Sequence, residues 1–306
     1  MKRLLPLISI FILLAVLASA CGSAVPTAAT VTLTDGLGRT VDLSAPAQRI
    51  VSLAPSNTEI LFAIGAGAQV VGRDDFSDFP EDAKKLPAVG GSMGNYNFET
   101  IASLKPDLVL AAEINTPEQV KALEDLGIKV YYLSNPKSLD DLYANLRTVG
   151  SLSGHDKEAN ELADQLAARV KKVQETLANN TVKPTVFYEL DGSEPAKPWT
   201  TGAGTFLSQL MVMAGGVNVG DKMEGQYGQM SLEVILAENP DVILLGDAAY
   251  GTTAEQVKTR AGWEGLKAVK DNQILTFDDN LVSRPGPRLV DGLETLAKLL
   301  HPDLFK

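Results

Sequence analysis

The sequence predicts an α/β protein of two lobes, each a parallel-sheet sandwich, joined by one long helix. Three observations predict it. Short apolar runs alternate with helical patterns through both halves, the order that winds helices around a parallel sheet. A stretch of the first half recurs 134 residues later: Glu99-Thr100-Ile101 with Pro106-Asp107-Leu108-Val109-Leu110 against Glu233-Val234-Ile235 with Pro240-Asp241-Val242-Ile243-Leu244. Between the halves, residues 156–179 place Ala159, Leu162, Leu166, Val170, Val173 and Leu177 at three- and four-residue spacing. That spacing is one apolar stripe on a helix about 36 Å long.

From the start of the chain, residues 1–20 read as a lipoprotein signal peptide: the cations Lys2 and Arg3, the apolar run Leu4–Ala18, then small residues up to Cys21. The run is shorter than the roughly 20 residues a membrane span needs. Cys21 is the only cysteine, so it has no internal disulfide partner. Its setting resembles a lipobox, which implies a lipidated Cys21 holding the protein outside the cell membrane; more than one acyl chain gives stable anchoring. Residues 21–45 form a small, polar tether and a β-hairpin around Gly36-Leu37-Gly38.

An N-terminal lobe is expected over 46–150. It opens with the buried strand Arg49–Leu53 and a helix through Ile60–Ile64 that Asn57 or Ser56 would cap. Helical patterns at 98–104 and 117–126 alternate with strands at Leu108–Ala111 and Val130–Leu133. The linker helix falls within 151–181, and a C-terminal lobe occupies 182–306. There the expected strands are Thr185–Tyr188, Val242–Leu245 and Gln273–Phe277, with helices at 204–214, 231–238 and 286–300. Both repeated helices stop before a proline, which disfavours the helical conformation in the residue ahead of it.

The 27 basic and 38 acidic residues give a net charge of −11, and loss of Lys2 and Arg3 with the leader deepens it to −13. Nucleic-acid binding needs a basic stripe, and none is present. Capture of zinc or manganese needs clustered histidines, whereas this chain has only His155 and His301, both expected on the surface. No metal site and no cofactor of its own are therefore expected.

Several segments together carry a resemblance: Arg49-Ile50-Val51-Ser52-Leu53 with Ser56-Asn57-Thr58-Glu59, Val70-Val71-Gly72, Phe76-Ser77-Asp78-Phe79-Pro80, Leu104–Val109, Leu126–Val130 and Arg284-Pro285-Gly286-Pro287-Arg288. In order and spacing the chain resembles the periplasmic solute-binding proteins for cobalamin, ferric siderophores and haem, and among them is most like the cobalamin-binding members. The resemblance implies a monomer that hands a corrinoid, or alternatively a ferric siderophore, to the permease dimer of an ABC importer. It implies docking through one glutamate per lobe, here Glu99 and Glu233, which the internal repeat also singles out. Each is equally a first-turn acid behind Asn97 or Ser231, where the helix dipole favours it.

The resemblance also implies a ligand between the lobes, near Phe76, Met93, Tyr96, Trp199, Tyr227, Asn280 and Arg284, with Phe79 close by. Met93 stands where cobalamin-binding relatives carry tryptophan, and Asn280 where they carry an acid. Haem relatives ligate iron from a tyrosine or histidine before the first docking glutamate, and Tyr96 lies too near Glu99 to match. A trianionic triscatecholate would want several cleft arginines. Arg284, with Arg73 and Arg288, stands among the acids Asp74, Asp75 and Asp78.

A rival of another class is a secreted serine hydrolase, because Gly90-Gly91-Ser92-Met93-Gly94 matches G-x-S-x-G and His301 follows it. That elbow needs a buried strand directly before the serine and a helix directly after it. Pro87 interrupts the first and Asn95-Tyr96-Asn97 delays the second, so a glycine-rich cleft loop is expected and no catalytic residue is assigned. Cys21→Ser is expected to leave folding intact and to release the protein into the soluble extracytoplasmic fraction. Continued fractionation with membranes in high salt would contradict the anchor.

Overall fold

The computed structural model describes residues 30–305; the leader, Cys21 and most of the tether lie outside them. Strands β1 (Val31–Thr34) and β2 (Thr40–Leu43) form the expected antiparallel hairpin. Strands β3 (Ile50–Ser52), β4 (Val70–Arg73), β5 (Leu108–Ala112) and β6 (Val130–Leu133) make a fully parallel sheet in the order β4-β3-β5-β6. The second half contributes β7 (Thr185–Glu189), β8 (Trp199–Thr201), β9 (Val217–Asn218), β10 (Tyr227–Gln229), β11 (Val242–Leu245) and β12 (Ile274–Thr276). Its parallel sheet runs β12-β11-β7-β9, and β8 pairs antiparallel with β10. With that pair set aside, both sheets place their strands second, first, third, fourth. The two halves share one topology.

The repeat is visible in backbone detail. Helices Phe98–Ser103 and Leu232–Glu238 are followed by left-handed non-glycine residues, Lys105 (φ 49°) and Asn239 (φ 45°). The repeated aspartates then fasten the neighbouring first strand: Asp107 accepts from the Gln48 and Arg49 amides at 2.8 and 3.0 Å, and Asp241 from the Thr185 amide at 2.8 Å. Each carboxylate fixes where its sheet begins.

Side chains alternate along these strands, so each sheet faces two cores. Ile50, Leu108, Leu110, Val186, Tyr188, Val242 and Leu244 belong to a single core that spans both lobes. Val51, Val109 and Ala111 face a separate N-terminal core, and Phe187, Ile243 and Leu245 a separate C-terminal one. Burial on both faces explains the unbroken apolar runs.

The linker helix is Asp156–Leu177, 22 residues. It buries Ala159, Ala163, Leu166, Val170 and Val173 in the shared core, while Leu162 and Leu177 of the expected stripe are only half-buried. On one side it lies against helix Leu139–Ser153, at a point where a Cβ on Gly150 would stand 2.5 Å from that of Ala159. On the other it meets the last helix, Leu289–Leu300, where Arg169 reaches Glu294 at 2.9 Å and Asp291 at 2.5 Å.

Three expectations are corrected. Helix Pro55–Ala63 has Ala54 at its N-cap with no side-chain cap, because Ser56 and Asn57 are buried inside its first turn. The Asn57 amide instead donates to the Leu110 and Ala111 carbonyls at 3.1 and 3.0 Å, a tertiary tie that outweighs local capping. His301 is not on the surface: it is 6 % exposed, its Nδ1 3.0 Å from the Asn180 amide nitrogen, and His155 is half-buried at the start of the linker helix.

Leu166 is 3 % exposed at the middle of the linker helix. Leu166→Ala is expected to lower stability by about 2–5 kcal/mol, in one unfolding transition that moves both lobes together. Two separate transitions, only one of them shifted, would show that the cores are independent.

Candidate functional site

In parallel sheets wound by helices, ligands bind beyond the carboxyl ends of the strands. Both sheets aim those ends at the gap between the lobes. Two cavities of about 430 and 500 Å³ open there and share Glu113, Asn135, Ser283 and Pro285, so they form one cleft. Glu113 and Asn135 follow β5 and β6; Asp279 follows β12. The volumes lie in the range of small-molecule sites.

Of the residues expected at the site, Phe76, Tyr227 and Arg284 line the cleft. Phe76 and Tyr227 are exposed, 50 % and 62 %. Trp199 sits on β8, beside the strand that carries Tyr227, and is 44 % exposed, yet it lines neither cavity. Asn280 opens the short helix Asn280–Ser283, lines neither cavity, and its amide donates to the exposed Asp278 at 2.9 Å. Met93 lies in the 3₁₀ turn Ser92–Gly94, and its side chain falls outside the described residues.

Tyr96 lines neither cavity and is half-buried. Its hydroxyl donates to the Leu53 carbonyl at 3.0 Å and accepts from the Asn115 amide at 2.8 Å. Burial, helped by the nearby Asp74 charge, pushes the phenol up to about 12. Arg73 and Arg288 are not free in the cleft either. Arg73 donates to the carbonyls of Ala83 and Asp74 at 3.0 and 2.8 Å, and Arg288 grips Glu59 through Nε at 2.9 Å and NH2 at 2.6 Å. Phe79 lies 4.1 Å beneath the Arg288 guanidinium. Arg284 reaches the cleft but already pairs with Asp78 at 2.5 Å.

The loop carrying Phe76 is held by a buried hydroxyl chain. Ser52 Oγ accepts from Thr58 Oγ1 at 2.8 Å, Thr58 lies 2.7 Å from Ser77 Oγ, and Ser77 donates to Asp74. Asp74 also accepts from the Phe76 amide at 2.9 Å, and its burial raises the carboxyl above the ordinary value. On the opposite wall, buried Tyr188 donates to Asp279 at 2.6 Å and orients that carboxylate. Burial, with the Asp279 charge next, raises the Tyr188 phenol far above its usual value.

Glu113, Asn135, Lys137 and Asp279 escaped the sequence reading. Glu113, Asn135 and Asp279 stand within three residues of a strand's carboxyl end, so the topological rule applied to the expected strands would have found them.

The pentapeptide 90–94 makes a tight turn. Gly90 and Gly91 have φ of 91° and 116°, and a Cβ on Gly90 would stand 2.4 Å from the Asn95 carbonyl oxygen. Ser92 follows no buried strand, and His301 lies in the other lobe against Asn180, so the structure does not bring Ser92 and His301 together.

Two like α/β lobes on one long helix, with an aromatic-walled cleft between their strand ends, define a bilobal solute-binding protein. The family model described as "Periplasmic binding protein" matches residues 50–281, and the chain belongs to that family. It is 36% identical over 282 residues to the uncharacterized ABC transporter substrate-binding lipoprotein YvrC of Bacillus subtilis, covering 90% of this chain and 87% of that one. It is 33% identical over 258 residues to the vitamin B12-binding protein of Vibrio cholerae, with 83% and 90% covered. The periplasmic haem-binding protein RhuT of Roseiflexus superimposes with a TM-score of 0.75 at 28% identity, over 85% of this chain and 100% of that one.

Tyr96→Phe leaves the buried Asn115 amide short of an acceptor. It is expected to lower stability by about 1–3 kcal/mol in denaturant unfolding, with the affinity for any cleft ligand unchanged. An affinity loss at unaltered stability would return Tyr96 to the binding wall.

Proposed function

We propose that this protein is a lipid-anchored, extracytoplasmic carrier that binds a corrinoid, or another near-neutral metal chelate, between its lobes and delivers it to an ABC permease. The observation that carries the ligand class is the cleft's charge. Among the described residues lining it, Glu113 and Asp279 face Lys137 and an arginine already paired with Asp78. Such a wall has no free guanidinium for a trianionic chelate, while Phe76 and Tyr227 suit the faces of a flat macrocycle. The vitamin B12-binding relative supports the same choice, and the lipoprotein relative supports anchoring through Cys21.

Glu99 and Glu233 are proposed as the docking pair. Both are exposed, each one residue into a helix whose cap accepts from the backbone, Asn97 from Thr100 at 2.9 Å and Ser231 from Val234 at 3.4 Å. Both helices lead into the third strand of their sheets, so they run against it and start at the end where the cleft opens. A partner held there sits over the ligand. Two carboxylates, one on each lobe, set orientation and speed encounter with a basic partner.

The test compares binding with transport. Purified protein titrated with cobalamin, cobinamide, a ferrichrome-type and a catecholate iron complex, followed by tryptophan fluorescence, is expected to favour a corrinoid; tightest binding of the catecholate would overturn the ligand class. Glu99→Ala/Glu233→Ala is expected to nearly abolish uptake while leaving that affinity unchanged, and Glu→Arg at both sites to be worse. Binding that falls in step with transport, or transport that survives, would make both residues ordinary helix-start acids.

A further inference from the structure

The lobes are tied at a second place besides the linker helix. Glu59, on the N-terminal helix Pro55–Ala63, has a side chain only 2 % exposed and points across the gap at the segment 284–288 of the other lobe. Arg288 meets it with two hydrogen bonds, 2.9 and 2.6 Å, and Arg284 stands 3.7 Å away, bridging to Asp78 at 2.5 Å. Among the described residues, every direct hydrogen bond from residues 30–153 to residues 182–305 is made by these two arginines.

Where the pair sits matters more than its strength. Buried ion pairs add little net stability, because desolvation offsets attraction, but they are strongly directional. Glu59 and Arg288 line neither cavity. Their near neighbours do: Ser56 lies one helical turn before Glu59, Arg284 four residues before Arg288 in the non-helical link, and both line the cavity that holds Phe76. Arg288 also stacks on Phe79, at the end of the Phe76 loop.

We propose that Glu59 is a positioning residue for the cleft: through Arg288 and Arg284 it fixes the spacing of the two lobes, and so the width of the ligand cavity, without touching the ligand. The apolar core around the linker helix holds the lobes together at the back, and the ion pair sets their angle at the cleft floor. Removing one partner leaves a buried charge unpaired; removing both leaves the core intact and only the Arg284–Asp78 contact across the gap.

The test uses Cys21→Ser protein with spin labels on cysteines placed at Lys121 and Tyr250, which are exposed on opposite lobes. Distances are read by pulsed electron resonance without ligand, so the result stands apart from the identity of the solute. Glu59→Gln and Glu59→Gln/Arg288→Met are expected to raise the population of longer distances on the order of tenfold or more, the factor two charge-assisted hydrogen bonds are worth. Arg288→Lys, which keeps the charge but not the fork, is expected to fall between. An unchanged distance distribution in the folded double variant overturns the proposal, as does loss of the fold in both variants, since the pair would then serve the fold alone.

Discussion

One apolar core, threaded by the helix Asp156–Leu177, carries both lobes. Burial of apolar surface is non-directional and grows with area, so this core brings the sheets together without deciding how they are turned. What turns them is the strand order: each sheet offers one face to the shared core, which leaves the carboxyl ends of both sheets bordering the same gap. The cleft follows from that choice. Gly150 and Arg169 serve it from either side, the first by letting two helices touch and the second by fastening the linker to Asp291 and Glu294.

Direction is supplied by buried polar groups, which must find partners. Asn57, Thr58 and Glu59 are consecutive and all buried, yet each answers to a different element: Asn57 to the end of β5, Thr58 to the loop carrying Phe76, and Glu59 to the opposite lobe. A short helix with three such ties has one allowed orientation. The cleft inherits its geometry from them, and its mild charge from the pairing of Arg284 and Arg288 with carboxylates.

The sequence by itself determined the two-lobed α/β class, the linker helix, both central strands and the equivalence of Glu99 with Glu233, because these rest on periodicity and on a repeat that survives in one dimension. It also placed Phe76, Tyr227 and Arg284 at the cleft, through segments that resemble a family. Only the tertiary structure decided that Asn57 braces a strand rather than capping a helix, that Tyr96 and Arg288 face inward, and that His301 is buried beside Asn180. The two-residue β9 and the β8–β10 pair, too short to show a period, were also its decision. Local rules assign a polar side chain to its own turn or to water. Its true partner is whichever group the fold brings within about 3 Å, and in this protein those partners lie 19 to 229 residues away along the chain.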